Sequence, residues 1–136
     1  MSEHIVTSYE SQLQNLNNTI IKMGALAESQ FADSIMTLQK NNPDIVDRIV
    51  GKDERLDDFE KKLELLVIDL IALRQPLAID LRETVSSMKI SSELERVGDL
   101  SKNIAKRSLA LKLPIENAIF KDLKNYEFII SLMKTE

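Results

Sequence analysis

Apolar positions recur along this chain in long helical stripes. Leu13, Leu16, Ile20, Met23, Ala27, Phe31, Ile35 and Leu38 repeat close to every 3.6 residues, the signature of one face of an amphipathic helix. Val46, Val50, Asp53, Asp57, Glu60, Glu64, Val67 and Ile71 alternate spacings of 4 and 3 without a break. That is a heptad seam whose ends are aliphatic and whose middle is four carboxylates. Leu77, Leu81, Val85 and Met88 form a third stripe, and Glu95 and Asp99 continue it one turn apart. A last stripe, Ile119, Leu123, Tyr126, Ile130 and Met133, runs toward the end.

Three turn signals separate these stripes. Asn41-Asn42-Pro43 closes one helix and opens the next, because Pro suits a first helical turn and Asn tolerates a helix end. Arg74-Gln75-Pro76 and Leu113-Pro114 mark the other two boundaries. The predicted helices are residues 7–40, 44–73, 76–110 and 115–135. Connections this short force antiparallel neighbours. The expected fold is therefore all-α: an antiparallel three-helix bundle with a fourth helix appended.

Composition supports long helices and narrows the chemistry. Only 3 Gly and 3 Pro fall among 136 residues. Cysteine is absent, which excludes disulfides, a thiolate zinc site and cysteine catalysis, and fits a reducing compartment. A net charge of −4 with 4% aromatics offers neither a basic stripe nor a stacking platform, so nucleic acid is not an expected partner. No apolar run approaches the ~20 residues of a membrane span. The N-terminal stretch MSEHIVTSYESQL has no signal-peptide character. The expectation is a soluble, cytoplasmic protein with no direct membrane insertion.

The acids carry the candidate chemistry. In a hairpin centred on Arg74–Gln75, facing positions have numbers totalling about 150, since both helices rise equally from the turn. Asp53 with Asp99, and Asp57 with Glu95, both come close to that total by the same margin, so the two pairs share one height. A similar estimate across Asn42 brings Glu28 toward Asp57. Gly24, one turn away, would allow a close approach. Asn103 lies one turn beyond Asp99, where it can serve as a neutral oxygen ligand or orienting group, with a surface Asn as the plainer reading. Gly98 either permits close helix packing or leaves room beside the acids.

Such a layer has two readings. Burying carboxylates without compensation costs several kcal/mol each, and a hard divalent or trivalent cation on oxygen ligands would remove that cost. Alternatively the acids lie on a solvated, salt-bridged surface, with Asp99 paired to Lys102 or Lys106, and Glu60 and Glu64 on an edge with lysines. Arg55, Arg96 and Arg107 are candidates for partner or phosphate contacts, with solvated helix arginines as the plainer reading. His4 is the sole histidine and receives no role.

Glu95-Arg96-Val97-Gly98-Asp99, followed by Asn103-Ile104-Ala105-Lys106-Arg107, resembles the ERIGD…NIAKR signature of PhoU-type phosphate-uptake regulators. His4 to Leu13, the run Met23-Gly24-Ala25-Leu26-Ala27-Glu28, and the run from Leu73 to Arg82 resemble the same family. The resemblance reaches about Leu113. It implies an all-helical protein of two similar three-helix repeats, each with two E(D)xxxD motifs that hold a metal or metal cluster. Here the motifs correspond to Asp53–Asp57 and Glu95–Asp99. These four are the implied metal ligands, with Glu28 and Asn103 as secondary candidates and iron, manganese or magnesium as the implied cation.

The resemblance also implies a non-enzymatic negative regulator of phosphate uptake and phosphate-starvation signalling. Its implied partners are the ATPase subunit of a phosphate ABC transporter, a sensor histidine kinase and a second copy of itself. Residues 1–112 would be one repeat and 113–136 the first helix of an incomplete second repeat, whose apolar face is expected either to drive homodimerisation or to leave the protein prone to aggregate. Two rivals remain. A carboxylate-bridged di-metal oxidase normally needs Glu-x-x-His motifs, and helices two and three hold no histidine. A metal-free helical adaptor needs only the bundle.

Overall fold

The computed structural model describes residues 2–40, 42–76, 78–111 and 121–128, with side chains from residue 7 onward. Helix α1 spans Ser2–Gln39, α2 spans Pro43–Asp69, and α3 spans Ala78–Ala110. All three pack against one another, giving the expected antiparallel three-helix bundle. The described residues contain no strand. No helix among them is long and apolar enough to cross a membrane. Residues 121–128 are helical, within the stretch expected as helix four. The predicted Leu113–Pro114 turn and the 112/113 repeat boundary lie outside the described residues, as do Ile119, Ile130 and Met133 of the last stripe.

The turns form as their residues dictate. Asn42 caps α2: its backbone is extended, and its side-chain oxygen accepts from the Asp44 amide at 3.0 Å while Pro43 opens the helix. After Asp69 the chain continues through Leu70–Arg74 as a wider π-helical turn. Gln75 then adopts the left-handed conformation (φ 46°), which turns the chain into Pro76 and α3. Arg74 ties this end down, donating from Nε to Gln12 Oε1 at 3.0 Å and from a terminal nitrogen to Ser8 Oγ at 2.8 Å. The Tyr9 hydroxyl donates to Asp80 Oδ2 at 2.9 Å. The start of α1 is thereby bound to the α2–α3 turn.

Packing follows heptads, though shifted from those the apolar pattern suggests. On α2 the buried positions are Ile45, Val46, Ile49, Asp53, Leu56, Leu63 and Val67, and Leu70 of the π-helical turn continues the line. Val46, Asp53 and Val67 belong to the predicted seam. Of its alternate members, Val50 and Asp57 are half-buried and Glu64 and Ile71 exposed, and Ile49, Leu56, Leu63 and Leu70 are buried in their place. On α3 the expected stripe turns outward: Leu81 and Val85 are exposed and Met88 is half-buried, while Leu77 lies outside the described residues. The buried line is Thr84, Ser87, Ser91, Gly98, Ser101, Ala105 and Ser108, with Leu94 packed against the core between Ser91 and Gly98.

The physical reason is size. Small residues let α3 approach two helices that already bring large side chains, and each hydroxyl is satisfied within its own helix. Thr84 Oγ1 donates to Asp80 O at 2.7 Å, Ser87 Oγ to Glu83 O at 2.8 Å, and Ser101 Oγ to Val97 O at 2.8 Å.

The interior thus has two halves. Near the α2–α3 turn, Leu16, Met23, Ala27, Leu56, Leu63, Val67 and Leu70 form an apolar core. Each such leucine contributes about 1.5–3 kcal/mol on burial. Near the α1–α2 turn, a small cluster of Ile45, Val46, Ile49 and Ala105 lies in a half that also buries Gln30, Ser34 and Thr37. Four members of the predicted α1 stripe, Leu16, Met23, Ala27 and Ile35, are fully buried. In its second half the helix turns polar residues inward instead. The acids sit where the two halves meet.

Candidate metal centre

Asp53 is the innermost acid, only 3% exposed. Its α2 backbone aims it at the small-residue side of α3, where Gly98 leaves space. Lys102 Nζ donates to Asp53 Oδ2 and, at 3.3 Å, to Asp99 Oδ1. The hydrogen bond to Asp53 is the largest cause of a raised Lys102 pKa. Desolvation opposes it, and Asp99 adds to it. From the other side Gln30 Nε2 donates to the Ile49 carbonyl at 3.2 Å and reaches Asp53 Oδ1 at 3.5 Å.

Gln30 Oε1 is buried and has no hydrogen-bond partner among the described residues. It lies where a β-carbon on residue 98 would stand, 2.6 Å away, with Leu56 Cδ2 equally close. Asp53 Oδ1 stands 3.4 Å from the same point, so Gly98 serves both roles its sequence position suggested, close packing and room beside the acids. Among the described residues nothing lies within 4 Å of the Gly24 β-carbon position, so none makes the close approach expected there.

Beyond Asp53, the acids line the α2–α3 groove. Asp57, Glu60, Glu95 and Asp99 are partly buried. Partial burial pushes the Glu95 carboxyl up to about 7, helped by its hydrogen bond and charge repulsion with Asp99, then by Glu60 and Asp57. Glu60 is also raised, first by burial and then by Asp57, Glu64 and Asp99. The predicted register holds, because carboxylates from both helices share one layer. Among the described residues no Lys or Arg forms an ion pair with Asp57, Glu60 or Glu95.

The donor set fits a hard cation by chemistry. It consists of carboxylate oxygens, two from each motif on two facing helices, and an ammonium already stands between Asp53 and Asp99. Among the described residues no three acids converge on one point. The layer is assembled, but the carboxylates are not gathered around a single position.

The remaining candidates are placed as follows. Glu28 is half-buried on α1, and the α1 side chain bonded to Asp53 is Gln30. Asn103, Arg96 and Arg107 are exposed on α3, and Arg55 is exposed on α2. Of the two lysines offered to Asp99, Lys102 makes the contact. Glu60, expected on a solvated edge, belongs to the cluster instead. Gln30 went unforeseen because a glutamine on an apolar stripe gives no hydropathy signal. Its heptad position, seven residues after Met23, was the signal that could have found it.

A three-helix bundle with two carboxylate motifs facing each other across α2 and α3 defines an acid-lined helical domain. Residues 20–108 match the PhoU domain family, and the chain belongs to that family. It is 46% identical over 111 residues to the phosphate-specific transport system accessory protein PhoU homolog of Caulobacter vibrioides, covering 82% of this chain and 48% of that protein. The identically named homologue of Rhizobium meliloti is 42% identical over 108 residues, covering 79% of this chain and 46% of that protein. That of Xylella fastidiosa is 40% identical over 110 residues, covering 81% and 45%. The chain spans about half the length of these curated relatives.

Proposed function

We propose that this chain is a non-enzymatic accessory regulator of phosphate transport, acting through protein contacts of its helical bundle. The observation that carries the reading is the family match across residues 20–108, which contains every acid of the layer. Relatives at 40–46% identity bear the name of phosphate-specific transport accessory proteins. In this reading the chain works in the cytoplasm on the ATPase subunit of a phosphate ABC transporter and on a sensor histidine kinase. It restrains uptake and starvation signalling when phosphate is plentiful.

Asp53, Asp57, Glu95 and Asp99 would hold the cation, of which iron, manganese and magnesium suit the oxygen donors. Bound by these residues, a cation would neutralise carboxylates that otherwise repel. The protein's own residues supply the rest: Gln30 orients Asp53, and Gly98 keeps the two helices close enough to share the layer. Self-association belongs to the same reading. Ile90, Val97 and Leu100 on α3 and Tyr126 on the later helical segment are exposed apolar surface of the kind a second copy covers.

The regulatory reading is tested in cells lacking their own homologue, with a starvation-responsive phosphatase reporter in phosphate-rich medium. Expression of the chain lowers the reporter; an unchanged signal at confirmed expression counts against it. The cation is tested by metal content after purification without chelator, for wild type and for Asp57→Ala with Asp99→Ala. Equal, negligible metal in both favours the metal-free adaptor.

A further inference from the structure

Lys102 occupies a position that its neighbours make unusual. It reaches from α3 across to Asp53 on α2 while also contacting Asp99 one turn behind it. Its ammonium therefore bridges one acid from each of the two motifs, at the height where the helices face each other. Asp53 is buried and needs a countercharge, since an unpaired buried carboxylate costs several kcal/mol. Lys102 is differently placed: its side chain is 24% exposed and hangs on four rotatable bonds. It can leave for solvent, whereas Asp53 cannot. Asp57, Glu60 and Glu95 have no such partner among the described residues.

We propose that Lys102 is a tethered cation that competes with a bound hard cation for Asp53 and Asp99, and so sets how readily the layer fills. The proposal rests on the cation reading given above. With the ammonium in place, Asp53 is neutralised and α2 stays bound to α3. A cation of higher charge that engages Asp53 and Asp99 takes over both tasks and releases the lysine. Direct attraction between Lys102 and the acids is then replaced, not added to, and the ammonium moves into water. Filling the layer thus carries the cost of breaking both ion pairs of Lys102, and the bundle remains folded whether or not a cation is bound.

The test is calorimetric titration of the full chain with manganese(II) alone, comparing wild type, Lys102→Met and Lys102→Arg. Met keeps most of the apolar stem and removes the charge. Lys102→Met is expected to bind manganese(II) about tenfold more tightly or better, with a lower melting temperature before metal and a larger rise on adding it. Lys102→Arg, which retains a competing charge, stays near wild type.

A second measurement uses only the wild-type protein. Amine acylation mapped by mass spectrometry should show Lys102 becoming more reactive as manganese(II) saturates, relative to the exposed Lys89. This arm decides the matter if Lys102→Met does not fold. Equal affinity in wild type and Lys102→Met, or labelling of Lys102 that manganese(II) leaves unchanged, overturns the competition while the cation layer stands. No manganese(II) binding by any of the three proteins overturns the layer and the competition together.

Discussion

Gln30 packs directly against Gly98: a β-carbon on residue 98 would stand 2.6 Å from Gln30 Oε1. The Gln30 amide is held in that orientation because its nitrogen faces the Ile49 carbonyl and Asp53. Turning it over would aim an oxygen at a carbonyl and a carboxylate. Leu56, fully buried, closes the other side. One missing methyl group therefore supports both the helix spacing and the orientation of Asp53.

Gly98→Ala is expected to destabilise the protein although alanine is the better helix former. Overpacking costs typically about 1–3 kcal/mol, against about 1 kcal/mol gained in helix propensity. The net expectation is a loss of up to about 2 kcal/mol in denaturant unfolding. An increase in stability would show that Leu56 and Gln30 yield freely.

The small seam of α3 makes a paired prediction. The Ser101 hydroxyl serves only its own helix, through Val97 O. Ser101→Ala should therefore leave the melting temperature unchanged or slightly raised. Ser101→Leu, the choice a hydropathy pattern would favour, should cost about 1–3 kcal/mol by forcing α3 away from its neighbours. Equal melting temperatures for both variants would mean the seam is not closely packed.

Glu95 sets a pH dependence for the metal-free protein. Its carboxyl stands at about 7 in the fold against 4.5 for the free group, so between these values the folded state holds more proton than the unfolded state. Stability from this source is complete below about pH 4.5 and is lost as pH rises through about 7. The slope is thus opposite to that of a salt-bridged acid. Glu95→Gln should flatten the profile of melting temperature against pH across this window. A wild-type profile that climbs there and is unaltered by the substitution would contradict the assignment.

Arg74 is expected to matter locally. Arg74→Ala removes the bonds to Gln12 and Ser8 that tie α1 to the far turn. The global cost should be about 1 kcal/mol, with faster hydrogen exchange in the first turns of α1. Unchanged exchange there would show that Tyr9 and Asp80 suffice.

Much of the architecture was legible in the chain. Asn42-Pro43 and Gln75-Pro76 fall at helix boundaries because capping and proline geometry are local properties. The acid register was legible too, since helix rise and turn position fix height without knowledge of packing. Rotation was not. Leu81 and Val85 score as core residues, yet they face outward, while Ser87, Ser91 and Ser101 score as surface and are buried. Hydropathy measures transfer from water, but the contact between α3 and its partners is decided by volume. Hydroxyls that bond their own helix can enter such a contact at little cost.

The sequence by itself determined the helices, their antiparallel order and the facing of Asp53 with Asp99 and of Asp57 with Glu95, all consequences of local geometry. Tertiary structure alone decided which acid went inside. Asp53 is buried because Gly98 leaves room for it and Lys102 and Gln30 reach it; Asp57 and Glu95 stay at the groove because the packed seam turns them there. Burial and partnership depend on how three helices rotate against one another, and that rotation is set by how their side-chain volumes fit together.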